Sequence, residues 1–116
     1  DANIQPGDIV FFKTNNTRQH CHNNPYNEHF IALEPDAGIA LVKNGAKIVG
    51  IDYLSIDQYK NKQFPVHHTL LGNGVLIIEN LNLENIPAGE YHFTIAPLNI
   101  ATMDGLPVRV IARTKT

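Results

Sequence analysis

The chain has 116 residues, 43% of them hydrophobic and 17% charged, with a formal net charge of −2. That length allows one domain with a modest core, and that composition is globular, not disordered or fibrous. The near-neutral charge gives no electrostatic footing for nucleic acid or an anionic membrane surface, and no apolar run approaches the ~20 residues that span a bilayer.

Pro6-Gly7-Asp8 is a turn signal, and Ile9 to Thr14 is a continuous β-branched and aromatic run that predicts a buried strand. Asn15 to Asn27, rich in Asn and His, predicts a loop. Pro35 suits a helix N1 position, Ala37, Ala40 and Leu41 share one face, and Gly45 stands where a C′ glycine belongs, so a helix is expected between them. Ala46 to Asp52 then predicts a second buried strand. Ser55 is expected to cap a short turn through Gln58-Tyr59, and Pro65 opens one or two helical turns, Val66 to Leu71, closed by Gly72 and Gly74. Val75 to Glu79 predicts a third strand, Tyr91 to Pro97 a fourth and Val108 to Ala112 a fifth, with Asp104-Gly105 a turn before it. Strand, helix, strand in this order predicts a mixed α/β fold over residues 1–116, read as a single domain or fragment. No internal repeat is visible. The chain starts with Asp1, without an initiator methionine or the basic and apolar regions of a secretory leader, so it is expected to be processed or part of something longer.

Chemistry concentrates in the segment from Pro65 to Leu81. Glu79 ends an otherwise apolar strand, which is costly for a carboxylate unless something positive meets it. His67 lies on the short helix leading into that strand, and the intervening glycine turn can fold the helix end back towards Glu79. Imidazole and carboxylate together suit zinc or manganese. Spacing alone leaves open a solvated Glu79 and an ordinary surface His67, and two donors are fewer than the three a catalytic zinc usually takes from protein. His68 is adjacent to His67 and would point about 100° away on a helix, so only one of the two faces Glu79. His20, Cys21, His22 and His29 form a second candidate zinc loop, but it lacks paired ligand spacing and reads more readily as a polar surface loop. Cys21 is the only cysteine, which excludes an internal disulfide and favours a reducing, cytoplasmic setting. Nucleophile-elbow serines and P-loops are absent from the sequence.

Three ordered blocks, GAKIVGIDYLSID (Gly45 to Asp57), HHTLLGNGVLIIENL (His67 to Leu81) and IPAGEYHFTIAPLNIATMDGLPVRVIA (Ile86 to Ala112), resemble the C-terminal half of the cyclase-family metal-dependent hydrolases, the family of bacterial kynurenine formamidase. The resemblance implies a β/β/α sandwich of swivelling type, here only its C-terminal portion. It also implies hydrolysis of small N-formyl or cyclic amide substrates, a divalent metal, and assembly as a homo-oligomer. His67 and Glu79 match family metal ligands, and His68 becomes a neighbour. Asp52 and Ser55 match a family block close to the site and are expected to be structural, while Asp104 and Arg109 match a block expected to hold a turn and a buried or interfacial arginine. The family's main metal motif, H-x-G-T-H-x-D-x-P-x-H, does not occur in the chain. The resemblance therefore implies a missing N-terminal half as partner and no activity from this chain alone. The competing expectation is a non-catalytic structural or interaction module that keeps the fold without that motif.

Overall fold

The computed structural model describes residues 3–20, 25–101 and 104–115. Along the chain it divides into two compact units, Asp1–Asn85 and Ile86–Thr116. The first holds β1 (Ile9–Phe12), α1 (Asn16–His20), α2 (Pro35–Lys43), β2 (Ile48–Ile51), α3 (Pro65–Gly72) and β3 (Leu76–Ile78). The three strands form one parallel sheet in the order β1-β2-β3, with Ile9 opposite Ile48 and Ile48 opposite Leu76. Parallel neighbours need crossovers, supplied by α2 and α3. Two crossovers of one hand set both helices on the same face, and α2 packs on α3 there, where Gly38 leaves room for Val66 and Thr69.

Between that sheet face and the helices lies the core: Leu41, Ala46, Val49, Ile51, Ile56, Val66, Leu70 and Val75. Ile51, Ile56 and Leu70 are fully buried, each worth roughly 2 kcal/mol in area removed from water. Of the three strands, the central β2 is the most buried. The opposite face of the sheet is more open, and Leu76 on it is exposed.

Both helices stop by the same device. After α2, Gly45 at φ 80° donates its N–H to Val42, and Ala46 donates to Leu41. After α3, Gly74 at φ 76° donates to Leu71, and Val75 to Leu70. These paired bonds close the last turn and leave a left-handed residue that only glycine adopts cheaply. Asn44 and Asn73 each add a side-chain N–H to a carbonyl four residues back. Each helix also begins with proline at its first position. Two similar helix-to-strand units thus stand side by side, a likeness of shape that residue-by-residue comparison does not reveal.

Two expectations shift. The first strand stops at Phe12, because the N–H and hydroxyl of Thr14 turn to the carboxylate of Asp52, 2.7 and 2.8 Å away. Within the stretch read as a loop, Asn16–His20 forms one helical turn. That turn has no apolar period to announce it. It is held from a distance, by Asp52 accepting from the N–H and hydroxyl of Thr17 and by the Asn16 side chain pairing with both backbone groups of Ile31.

The second unit is an antiparallel ribbon of β4 (Tyr91–Pro97) and β5 (Val108–Thr114), with Tyr91 opposite Thr114 and Ile95 opposite Val110. The fourth strand matches its expected bounds, and the fifth runs two residues further. Tyr91, Phe93, Ile95, Val110 and Ala112 share the apolar face, while His92, Thr94, Arg109 and Arg113 lie on the other. Arg109 is exposed in this chain, which excludes the buried one of the two places expected for it.

Gly50 is the tightest point of the sheet. A Cβ there would lie 2.6 Å from both Leu81 Cδ1 and Phe11 Cδ1. Gly50→Ala therefore forces two side chains out of place and is expected to destabilise the protein by about 1–3 kcal/mol. Urea unfolding measures this, and a change under ~0.5 kcal/mol would show that the sheet is looser than described.

Candidate metal centre

The site candidates gather beyond the C-terminal ends of β2 and β3, the edge of a parallel sheet where loops and helix starts converge. The chain leaves β2 at Ile51 and runs through Asp52 to Asp57 before turning towards α3. Ile56 anchors this loop: its side chain is fully buried, its carbonyl accepts from Leu33, and its N–H donates to Oε1 of Glu79 at 3.0 Å. Glu79 follows the last residue of β3. Asn80 then turns the chain at φ 57° and donates its N–H to Tyr53, 2.7 Å away. Glu79 is thereby tied to the loop after β2 twice, by its own carboxylate and by the backbone N–H of the next residue.

His67 sits in the first turn of α3. The residue before that helix, Phe64, has a left-handed backbone (φ 48°) and offers no side-chain cap. Asp57 fills the role from nine and ten residues earlier in the chain, its Oδ1 accepting from Val66 N–H and its Oδ2 from His67 N–H, each at 2.9 Å. The same Oδ2 lies 2.6 Å from Nδ1 of the His67 ring. The other ring nitrogen, Nε2, lies 2.9 Å from Oε1 of Glu79. Phe64 stands edge-on to the ring, with centroids 5.9 Å apart. Asp57 is 2% exposed, His67 27% and Glu79 30%, so the line of three runs from the interior towards solvent.

The structure therefore brings His67 and Glu79 together, as the sequence had suggested, and turns His68 outward to solvent. Asp52 is buried and hydrogen-bonded to Thr14 and Thr17, a structural use, and the hydroxyl of Ser55 accepts from Asp57 N–H at 3.2 Å. His29 is exposed, with its N–H on Asn27 Oδ1. Cys21, His22 and the His20 side chain lie outside what is described, so the second candidate loop cannot be assembled. Asp57 was missed as a site residue. Its one signal was a negative one: a helix opening Phe64-Pro65 with no capping residue of its own needs an acceptor from elsewhere.

The donor set suits a divalent cation, with one imidazole nitrogen and one carboxylate facing each other and reachable from solvent. Among the described residues no third His, Cys, Asp or Glu joins them on one point. Without a cation, the two carboxylates favour a protonated ring. The hydrogen bond to Glu79 raises His67 above its ordinary 6.5, partial burial opposes this, and Asp57 adds to the rise.

A parallel sheet with both helices on one face, a separate antiparallel ribbon and a histidine–carboxylate pair at the strand ends define a mixed α/β fold with a polar cluster at one sheet edge. The sequence profile of the family described as Putative cyclase matches residues 1–58. Two solved structures are similar over nearly the whole chain. One, described as a potential metal-dependent hydrolase with cyclase activity, is 37% identical over 96% of this chain, with a TM-score of 0.86. The other, described as a predicted metal-dependent hydrolase from Bacillus stearothermophilus, is 37% identical over 95%, with a TM-score of 0.84. The chain spans about half of each, 53% and 51% respectively. It belongs to the cyclase family and shares the fold of the matched half of these two structures. No helix among the described residues is long and apolar enough to cross a membrane.

The raised pKa of His67 has a sign in stability. A group bound more tightly to its proton when folded stabilises the fold fully below its unfolded value of 6.5, and that contribution disappears as pH rises through the higher folded value. In metal-free protein, the stability difference between wild type and His67→Gln should therefore shrink from pH 6 to pH 9. Urea midpoints across that range test it, and a difference independent of pH would contradict it.

Proposed function

We propose that this chain forms part of a metal-dependent hydrolase of small amides, with His67 Nε2 and Glu79 as two of its metal ligands. The observation that carries the reading is the convergence of these two side chains, from a helix start and a strand end, at 2.9 Å. Zinc or manganese held there would polarise a substrate carbonyl and lower the pKa of bound water. The chain's own residues would hold the nitrogen and oxygen donors in place: Ile56 N–H fixes one oxygen of Glu79, and the first turn of α3 fixes the ring of His67. Both donors are partly open to solvent, so substrate and water can reach them. The substrate class proposed with it is an N-formyl or cyclic amide, carried over from the resemblance to the cyclase family.

Two donors bind a cation weakly, and the remaining ligands are proposed to come from a partner segment that completes the fold. On the sheet face away from the helices, Leu76 is 59% exposed and offers that partner, or a second copy of the chain, an apolar contact. Alone, the chain is expected to be inactive. The non-catalytic module remains the alternative if no such partner segment exists, but the pairing of His67 with Glu79 favours the hydrolase.

His67→Ala and Glu79→Gln are each expected to weaken zinc and manganese binding by at least tenfold and to abolish amide hydrolysis in the completed protein. Far-ultraviolet circular dichroism should show the fold unchanged. Metal titration followed by a formamide hydrolysis assay decides it, and full activity in either variant would remove that residue from the ligand set. Because Nε2 carries a proton when the site is metal-free at low pH, metal uptake near pH 6 should release about one proton. Calorimetry in buffers of differing ionisation enthalpy measures that release, and zero release would place the metal elsewhere.

A further inference from the structure

The buried Asp57 has no role in the reading above beyond closing a helix, yet its geometry also controls the ring of His67. A carboxylate has only acceptor atoms, so the hydrogen shared between Asp57 Oδ2 and His67 Nδ1 at 2.6 Å belongs to the nitrogen. With Nδ1 carrying hydrogen, Nε2 is the ring atom with a lone pair to offer, and Nε2 is the atom that faces Glu79. We propose that Asp57 is a positioning residue: it selects the Nδ1–H form of neutral His67 and fixes the ring so that Nε2 is the donor directed at Glu79. Its use in binding a cation rests on the metal-hydrolase reading, whereas its control of the ring does not.

Glu79 competes for the opposite outcome, since it could hold the hydrogen on Nε2. Three features favour Asp57. Its contact with the ring is shorter, 2.6 against 2.9 Å. It is 2% exposed against 30% for Glu79, so solvent weakens its pull less. Its two oxygens are also held in place by Val66 and His67 N–H at the start of α3, so its aim at the ring is fixed. Because Asp57 binds both the backbone and the ring of His67, moving the ring means opening the first turn of the helix.

The test uses 15N-histidine-labelled, metal-free protein at a pH where His67 is neutral, with long-range 1H–15N spectra that identify the nitrogen bearing hydrogen. Wild type should show Nδ1–H. In Asp57→Ala, Glu79 is the remaining ring partner, and the hydrogen should move to Nε2. Zinc affinity should then fall by about 10–100-fold. A purely structural role in closing the helix would lower the melting temperature of the variant and leave the tautomer unchanged, which would overturn the proposal. An Nε2–H ring in wild type would overturn it without any variant, so the test survives if Asp57→Ala does not fold. Should the tautomer reverse as expected while wild type binds neither zinc nor manganese, Asp57 keeps its role and the metal reading is the one that fails.

Discussion

Three N–H donors end on the carboxylate of Asp57: the backbone groups of Val66 and His67 and the ring of His67 itself. A carboxylate this buried is stable only when its lone pairs are met. The requirement runs in both directions, because α3 begins at Phe64 with no cap of its own and would otherwise leave those N–H groups without protein partners. The loop after β2, the start of α3 and the orientation of His67 are therefore one interlocked unit. Displacing any of them leaves a buried charge or an orphaned donor. Ile56, next in the chain, ties the unit to the core by its side chain and to Glu79 by its N–H.

The same solution recurs at the end of β1. Asp52, at the other end of the same loop, gathers the N–H and hydroxyl groups of Thr14 and Thr17 and so holds the turn that becomes α1. Two buried aspartates five residues apart thus organise the connections that leave β1 and β2 at the C-terminal edge of the sheet. This edge is where a parallel sheet brings loop residues from different strands together, and the chain keeps it ordered with charge and hydrogen bonds, whereas the body of the unit relies on apolar packing. The site is held by those satisfied carboxylates, not by short loops.

How much of this the sequence discloses follows from the range of each interaction. The positions of α2, β2, α3, β3 and β4 were legible because their signals are local: Pro35 and Pro65 at helix starts, Gly45 and Gly74 at positive φ after the helix ends, and compact β-branched runs between them. The pairing of His67 with Glu79 was legible as a possibility and became specific through the resemblance to a family. The turn Asn16–His20 was not legible, because its main support comes from Asp52 far along the chain. The role of Asp57 was hidden for the same reason. In the sequence it is one acidic residue in a polar stretch, and its partners emerge when α3 folds back across the sheet edge.

The contrast between Asp57 and Glu79 explains why one imidazole needs two acids. If both carboxylates were buried and equivalent, His67 would be shared evenly between them, and neither nitrogen would be committed to a ligand. Burial breaks that symmetry. Asp57, sealed at the helix start, has its oxygens committed to fixed N–H groups and cannot turn towards a ligand without opening the helix. Glu79 is held by one backbone N–H at one oxygen, on the open side of the ring, where solvent reaches it. Position in the fold, not residue type, divides the work: the interior acid orients the ring, and the outer acid shares what the ring then offers.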